Sequence, residues 1–199
     1  TTSSVQISQI RGICVPSILL PEIGIRCEKT LTLSSYFSFV FPIFATMNSL
    51  TLDNGLRVVY APSPTNTVYL GLALNAGTRD ETDGESGMAH FAEHLSFKGT
   101  DRRTSRQIIT YMESVGGDLN AFTGKEETVY YCTCQKEHFS RAMDLLFDVV
   151  FHSKYPQEEM DKEVEVVIDE IESYNDSPSE LIYDDFEAML FQGHPLGRS

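Results

Sequence analysis

His90, Phe91, Ala92, Glu93 and His94 form the most chemically loaded string in the 199-residue chain. On a helix, residues four apart share a face, so the two imidazoles can share one ion. Zinc takes neutral imidazole nitrogens at about 2.0–2.1 Å and, in catalytic sites, usually three protein ligands with one position left for water. Glu93 is next to His94 and three residues from His90, close enough to reach that water without ligating the metal. Zinc lowers the pKa of such a water towards about 7, and a nearby carboxylate can take its proton. The order His-x-x-Glu-His inverts the commoner His-Glu-x-x-His. Ordinary residue frequencies produce it in about one chain in a hundred or fewer. Met88, Ala89, Phe91, Ala92 and Leu95 make the surrounding helix apolar. Polar groups set among them need partners, and a metal is one.

Two histidines leave a ligand missing, and the acidic stretch 157–174 offers it. Met160, Val164, Val167, Ile168 and Ile171 recur there at helical spacing. Glu163 and Glu170 lie two turns apart on one line beside this stripe, at the border between core and cavity. The pattern alone does not choose between them. Glu158, Glu159, Asp161, Glu165, Asp169 and Glu172 read as a solvated face. His138, His152 and His194 read as structural, with His152 at a helix end where a positive charge suits the dipole.

The elements that must position these groups are legible from Met47 onward. Leu50–Leu52 and Leu56–Tyr60 flank Asp53–Asn54–Gly55 as a β-hairpin. A third, central strand runs from Thr67 to Asn75. Helices follow at Ser86–Phe97, stopped by Gly99, and at Ser105–Val115, stopped by Gly116–Gly117. Strands at Leu119–Thr123 and Thr128–Gln135 precede amphipathic helices at Lys136–Phe151, Gln157–Tyr174 and Ser177–Phe191. This order predicts an α+β fold, a largely antiparallel sheet with helices packed on one face.

Residues 1–46 differ in character. They contain no Met and carry a net charge of +1, leaving −15 for the rest of a chain whose total is −14. Their aromatic run, Tyr36 to Ala45, is shorter than the roughly 20 apolar residues of a membrane helix, and Pro42 interrupts it. As a signal core the run sits late. The expectation is an N-terminal extension outside the fold, with residues 47–199 as the catalytic domain. A start at Met47 implies a cytoplasmic enzyme, whereas a native 1–46 segment implies export or organelle import. The acidic balance excludes a nucleic-acid partner, which needs a basic surface. No membrane partner is expected. The four cysteines, Cys14, Cys27, Cys132 and Cys134, show no paired zinc spacing. Cys132 and Cys134 alternate on a strand and share a face, and all four are expected to be free buried thiols in a reducing compartment.

The chain from about Ser49 to Arg198 resembles the N-terminal half of the pitrilysin-type zinc peptidases, the inverzincins, which include the mitochondrial processing peptidase β subunit and bacterial insulinase-like enzymes. The matching strings are LDNGLRVVY at 52–60, NAGTRDE at 75–81, GMAHFAEHLSFKGT at 87–100, GGDLNAFTGKEETVYY at 116–131, EVEVVIDEIESYNDSP at 163–178 and GHPLGR at 193–198. The resemblance implies a zinc endopeptidase. It makes His90, His94 and Glu170 the ligands of one zinc ion, Glu93 the general base, and Glu163 a supporting acid that orients a ligand. It also implies that Asn120, Ala121 and Phe122 lie on an edge strand that pairs with an extended peptide or unfolded segment. Such enzymes have a second half of similar fold, on the same chain or a partner. The alternative reading is a zinc-binding, non-catalytic subunit or fragment of a processing-peptidase-like complex that needs this second half for activity.

Overall fold

The computed structural model describes residues 10–14 and 47–198. Asn48–Thr51 (β2) and Arg57–Tyr60 (β3) pair antiparallel as the expected hairpin. Its turn closes as Asn54 Oδ1 accepts from the Leu56 amide at 3.1 Å, and Gly55 supplies the positive φ of 87°. Thr67–Leu74 (β4) pairs along its length with Thr128–Gln135 (β6), which pairs in turn with Asp118–Thr123 (β5). The helices are Met88–Ser96 (α1), Ser105–Glu113 (α2), Phe139–His152 (α3), Gln157–Asn175 (α4) and Pro178–Leu190 (α5).

Ile10–Cys14 (β1) was not expected as an element. It lies in the sheet between β3 and β4, parallel to the first and antiparallel to the second, giving the order β2-β3-β1-β4-β6-β5. The sequence placed this segment outside the fold because clear strand and helix patterning begins only after Met47, the first Met, and the 46 residues before it differ in charge balance. The hairpin and β4 do not pair with each other, and the pairing groups of their facing edges are taken up by β1. The other calls on residues 1–46 lie outside the described residues. One parallel pair in a six-stranded, otherwise antiparallel sheet leaves the α+β assignment intact.

The core follows from strand alternation. Val68, Leu70, Leu72 and Leu74 on β4, and Tyr130, Cys132 and Cys134 on β6, point to one face and are buried. Ile108 and Met112 of α2 and Phe139, Ala142, Leu145, Leu146 and Val149 of α3 cover that face. Cys132 and Cys134 are buried free thiols, as expected. Among the described residues, no helix is long and apolar enough to cross a membrane.

Helix α4 departs from expectation. Val164, Ile168 and Ile171 of its apolar stripe are exposed, and Glu163 is the one buried residue of the helix. The inward line runs through Glu163 with Met160 and Val167, the two half-buried members of the stripe, on either side of it. A carboxylate with good partners on α1 sets the docking angle in place of the apolar stripe.

Candidate metal centre

Helix α1 carries the motif, and both of its ends are held. At its start Gly87 has φ 85° and offers no side-chain cap. Glu81 caps from a distance instead: its carboxylate accepts from the Gly87 amide at 2.9 Å and the Ala89 amide at 2.7 Å. An anion at this end also complements the helix dipole. Glu81 is itself fixed, since the Arg198 guanidinium donates to its carbonyl and reaches Asp83 at 2.7 Å. The loop before Glu81 lies flat on the β5–β6 turn, where a Cβ on Gly77 would collide with the Gly124 carbonyl. At the other end of α1, Ser96 Oγ and Tyr130 OH share a buried hydrogen bond of 2.9 Å, and Ser153 donates to the Ser96 carbonyl at 2.9 Å.

On this fixed helix His90 and His94 turn their Nε2 atoms towards each other at 3.1 Å. Glu170 on α4 completes the group, with one oxygen 3.3 Å from His94 Nε2 and the other 3.8 Å from His90 Nε2. One donor atom from each of the three lies within 4.8 Å of the others. Zinc–nitrogen bonds of about 2.0–2.1 Å in a tetrahedron set ligand nitrogens roughly 3.3 Å apart, so the spacing suits the ion. Two imidazoles and a carboxylate are also its common donor set.

Around these donors the carboxylate of Glu163 takes His94 Nδ1 at 2.9 Å on one oxygen and the Lys98 ammonium on the other. Burial pushes the Glu163 carboxyl up, but the hydrogen bonds and charges of Lys98 and His94 outweigh it and hold it below the usual carboxylate range. A carboxylate at Nδ1 makes that nitrogen the donor and leaves Nε2 as a lone pair. Glu93 is buried, and its carboxylate accepts from the Thr123 hydroxyl at 2.5 Å. Thr123 ends β5, so Glu93 bridges α1 to that strand.

Asn120, Ala121 and Phe122 lie on β5, which pairs with β6 alone among the described strands and so forms the sheet edge. Asn120 and Phe122 are exposed, and the Asn120 side chain accepts from the Ala121 amide at 2.8 Å. The three remaining histidines lie apart from the donor group. His152 ends α3 3.6 Å from Asp148, His194 accepts from the Leu196 amide at 3.2 Å, and His138 stands 3.4 Å from Glu137. Sequence reasoning missed Glu81, Lys98 and Thr123. Lys98 could have been found, because it follows His94 by four residues and shares its face. The links of Glu81 and Thr123 depend on loop and strand geometry.

A fixed helix with His-x-x-Glu-His, a carboxylate from a later helix and an open antiparallel sheet edge together define a metallopeptidase-type domain. The sequence model described as Insulinase (Peptidase family M16) matches residues 57–199. An uncharacterized zinc protease of Rickettsia bellii is 40% identical over 152 residues, which is 76% of this chain and 37% of the relative. A probable mitochondrial-processing peptidase subunit beta of Arabidopsis thaliana is 37% identical over 168 residues, 79% of this chain and 32% of the relative. The crystal structure of a protease from Helicobacter pylori superimposes with a TM-score of 0.71 at 28% identity, covering 78% of this chain and 38% of that one. The chain belongs to the insulinase family of peptidases. It spans 32–38% of the length of these relatives.

Proposed function

We propose that this chain carries the ligands and general base of a zinc endopeptidase acting on peptides or unfolded protein segments. The observation that carries this reading is the convergence of His90, His94 and Glu170 donor atoms from two helices. His90 Nε2, His94 Nε2 and a Glu170 oxygen would hold the ion, and Glu163 would keep His94 in the ligating tautomer. Zinc supplies Lewis-acid chemistry when bound, polarising a carbonyl and acidifying water. Glu93 takes the proton from the attacking water on a carboxylate oxygen and returns it to the leaving amine. The Asn120–Phe122 edge lays the substrate backbone alongside β5 as an added strand. A second homologous half, on the same polypeptide or a partner chain, closes the cavity. Assayed by themselves, these 199 residues should bind zinc and cleave peptides poorly, and adding such a half should raise turnover.

Elemental analysis of the purified chain tests the reading. About one zinc per chain is expected, a ratio taken from the one donor group among the described residues. His90→Ala should lose the zinc and Glu93→Gln should keep it. No zinc in folded protein after dialysis against the metal would overturn the reading, and so would equal loss in both variants.

A further inference from the structure

Lys98 is not one of the three metal donors, and the zinc reading assigns it no part. We propose that it is a positioning residue for the metal centre, acting through Glu163; this rests on the zinc reading above. Lys98 follows His94 by four residues, just past the end of α1, so both side chains leave the same face. They grip different oxygens of one carboxylate: His94 Nδ1 lies 2.9 Å from Glu163 Oε1, and Lys98 Nζ pairs with Oε2. The Glu163 side chain is only 7% exposed, and no other residue of α4 is buried. The clamp thus ties α1 to the one fully buried side chain of the helix that presents Glu170. Glu170 lies two turns further along the same line of α4. Movement of Glu163 would then turn the His94 ring and carry Glu170 off the donor group together.

Lys98 is outside the donor group and pairs with Glu163. Its contribution is to hold Oε2, so that Oε1 stays on His94 and the His94 Nε2 lone pair faces His90. A neutral side chain at this position leaves the carboxylate free to swing towards solvent, because Lys98 itself is a quarter exposed, at 25%. A cation that can still reach Oε2 restores the clamp.

The test measures zinc affinity of the 199-residue chain by competition with a chromophoric chelator at fixed pH. Lys98→Met should keep the zinc stoichiometry and lose about 10- to 100-fold in affinity, the usual effect of removing a partner behind a ligand. Lys98→Arg should recover most of it. Lys162→Met, which removes an exposed lysine paired with Glu159, should change nothing. A second readout needs no metal: nitrogen-15 spectra of the imidazoles in metal-free protein. His94 should carry its proton on Nδ1 in the parent chain and mix in the other tautomer in Lys98→Met. Unchanged affinity in Lys98→Met overturns the proposal. So does failure of that variant to fold, which would make the lysine a prop for the whole fold. If the parent chain binds no zinc, the metal reading fails separately, and an unchanged His94 tautomer then overturns the role of Lys98.

Discussion

Glu93 and Thr123 are separated by 30 positions and meet in one hydrogen bond. A buried carboxylate is costly unless donors satisfy it, and hydrogen bonds to charged groups are among the stronger ones. Thr123→Val keeps the shape of the side chain and removes the donor. It should destabilise the chain by about 2 kcal/mol in urea unfolding, with Thr123→Ser close to the parent. Zinc content should not change, because neither residue belongs to the donor group. A Thr123→Val chain as stable as the parent would show that Glu93 finds another donor. The individual residues of the motif were legible because chemistry constrains their spacing directly. Glu163 and Glu170 were not separable from the pattern, since both lie on one line of α4. The structure places Glu170 at the histidine Nε2 atoms and Glu163 behind His94.

Among the elements, the loop between α1 and α2 depends most on a single buried group. Asp148 of α3 is fully buried and accepts from Thr100 Oγ1 at 2.8 Å, Arg102 Nε at 2.9 Å and the Arg103 guanidinium. Burial pushes the Asp148 carboxyl up, yet the hydrogen bonds from Arg102, Arg103 and Thr100 outweigh it and hold it below the usual range. A depressed carboxyl stabilises the fold above its unfolded pKa, about 3.9 for Asp, and that stability is lost as pH falls through the lower folded value. Stability should therefore drop on the acid side of about pH 4. Asp148→Asn should lower stability by about 3 kcal/mol at neutral pH and flatten this acid limb, as followed by denaturant melts across pH. An equally steep limb in the variant would assign it to other carboxylates. Elements with internal periodicity, such as β4, β6 and α3, were legible in the sequence. So was the Asn-Gly hairpin, because its turn geometry demands those residues. β1 was not, because a five-residue strand is specified by the edges it pairs with. The docking face of α4 was not either: an apolar stripe normally turns inward, and here the Glu163 clamp overrides it.

At the scale of the whole molecule, the rotated α4 leaves apolar rows in water. Val164, Ile168 and Ile171 on α4 and Ile182, Phe186 and Met189 on α5 repeat at helical spacing and are all exposed, Met189 by 74%. Large exposed apolar surface is uncommon on monomeric soluble proteins. The chain also carries a net charge of −14, which repels copies of itself. The two effects oppose each other, and salt separates them: it screens the charge over about 10 Å at 0.1 M while leaving apolar contact intact. The 199-residue chain should therefore stay dispersed at low ionic strength and self-associate as salt is raised, with binding of an apolar fluorescent dye throughout. Phe186→Glu together with Ile182→Glu should remove both behaviours at little cost in stability, because neither side chain is buried. Sedimentation across a salt series measures the first and dye titration the second. A polypeptide spanning the length of the relatives should bind less dye per mole than this chain if further structure covers the rows. Equal dye binding would mean that the rows stay open in the longer protein. Association that weakens as salt rises would instead place its origin in charge rather than in the apolar rows.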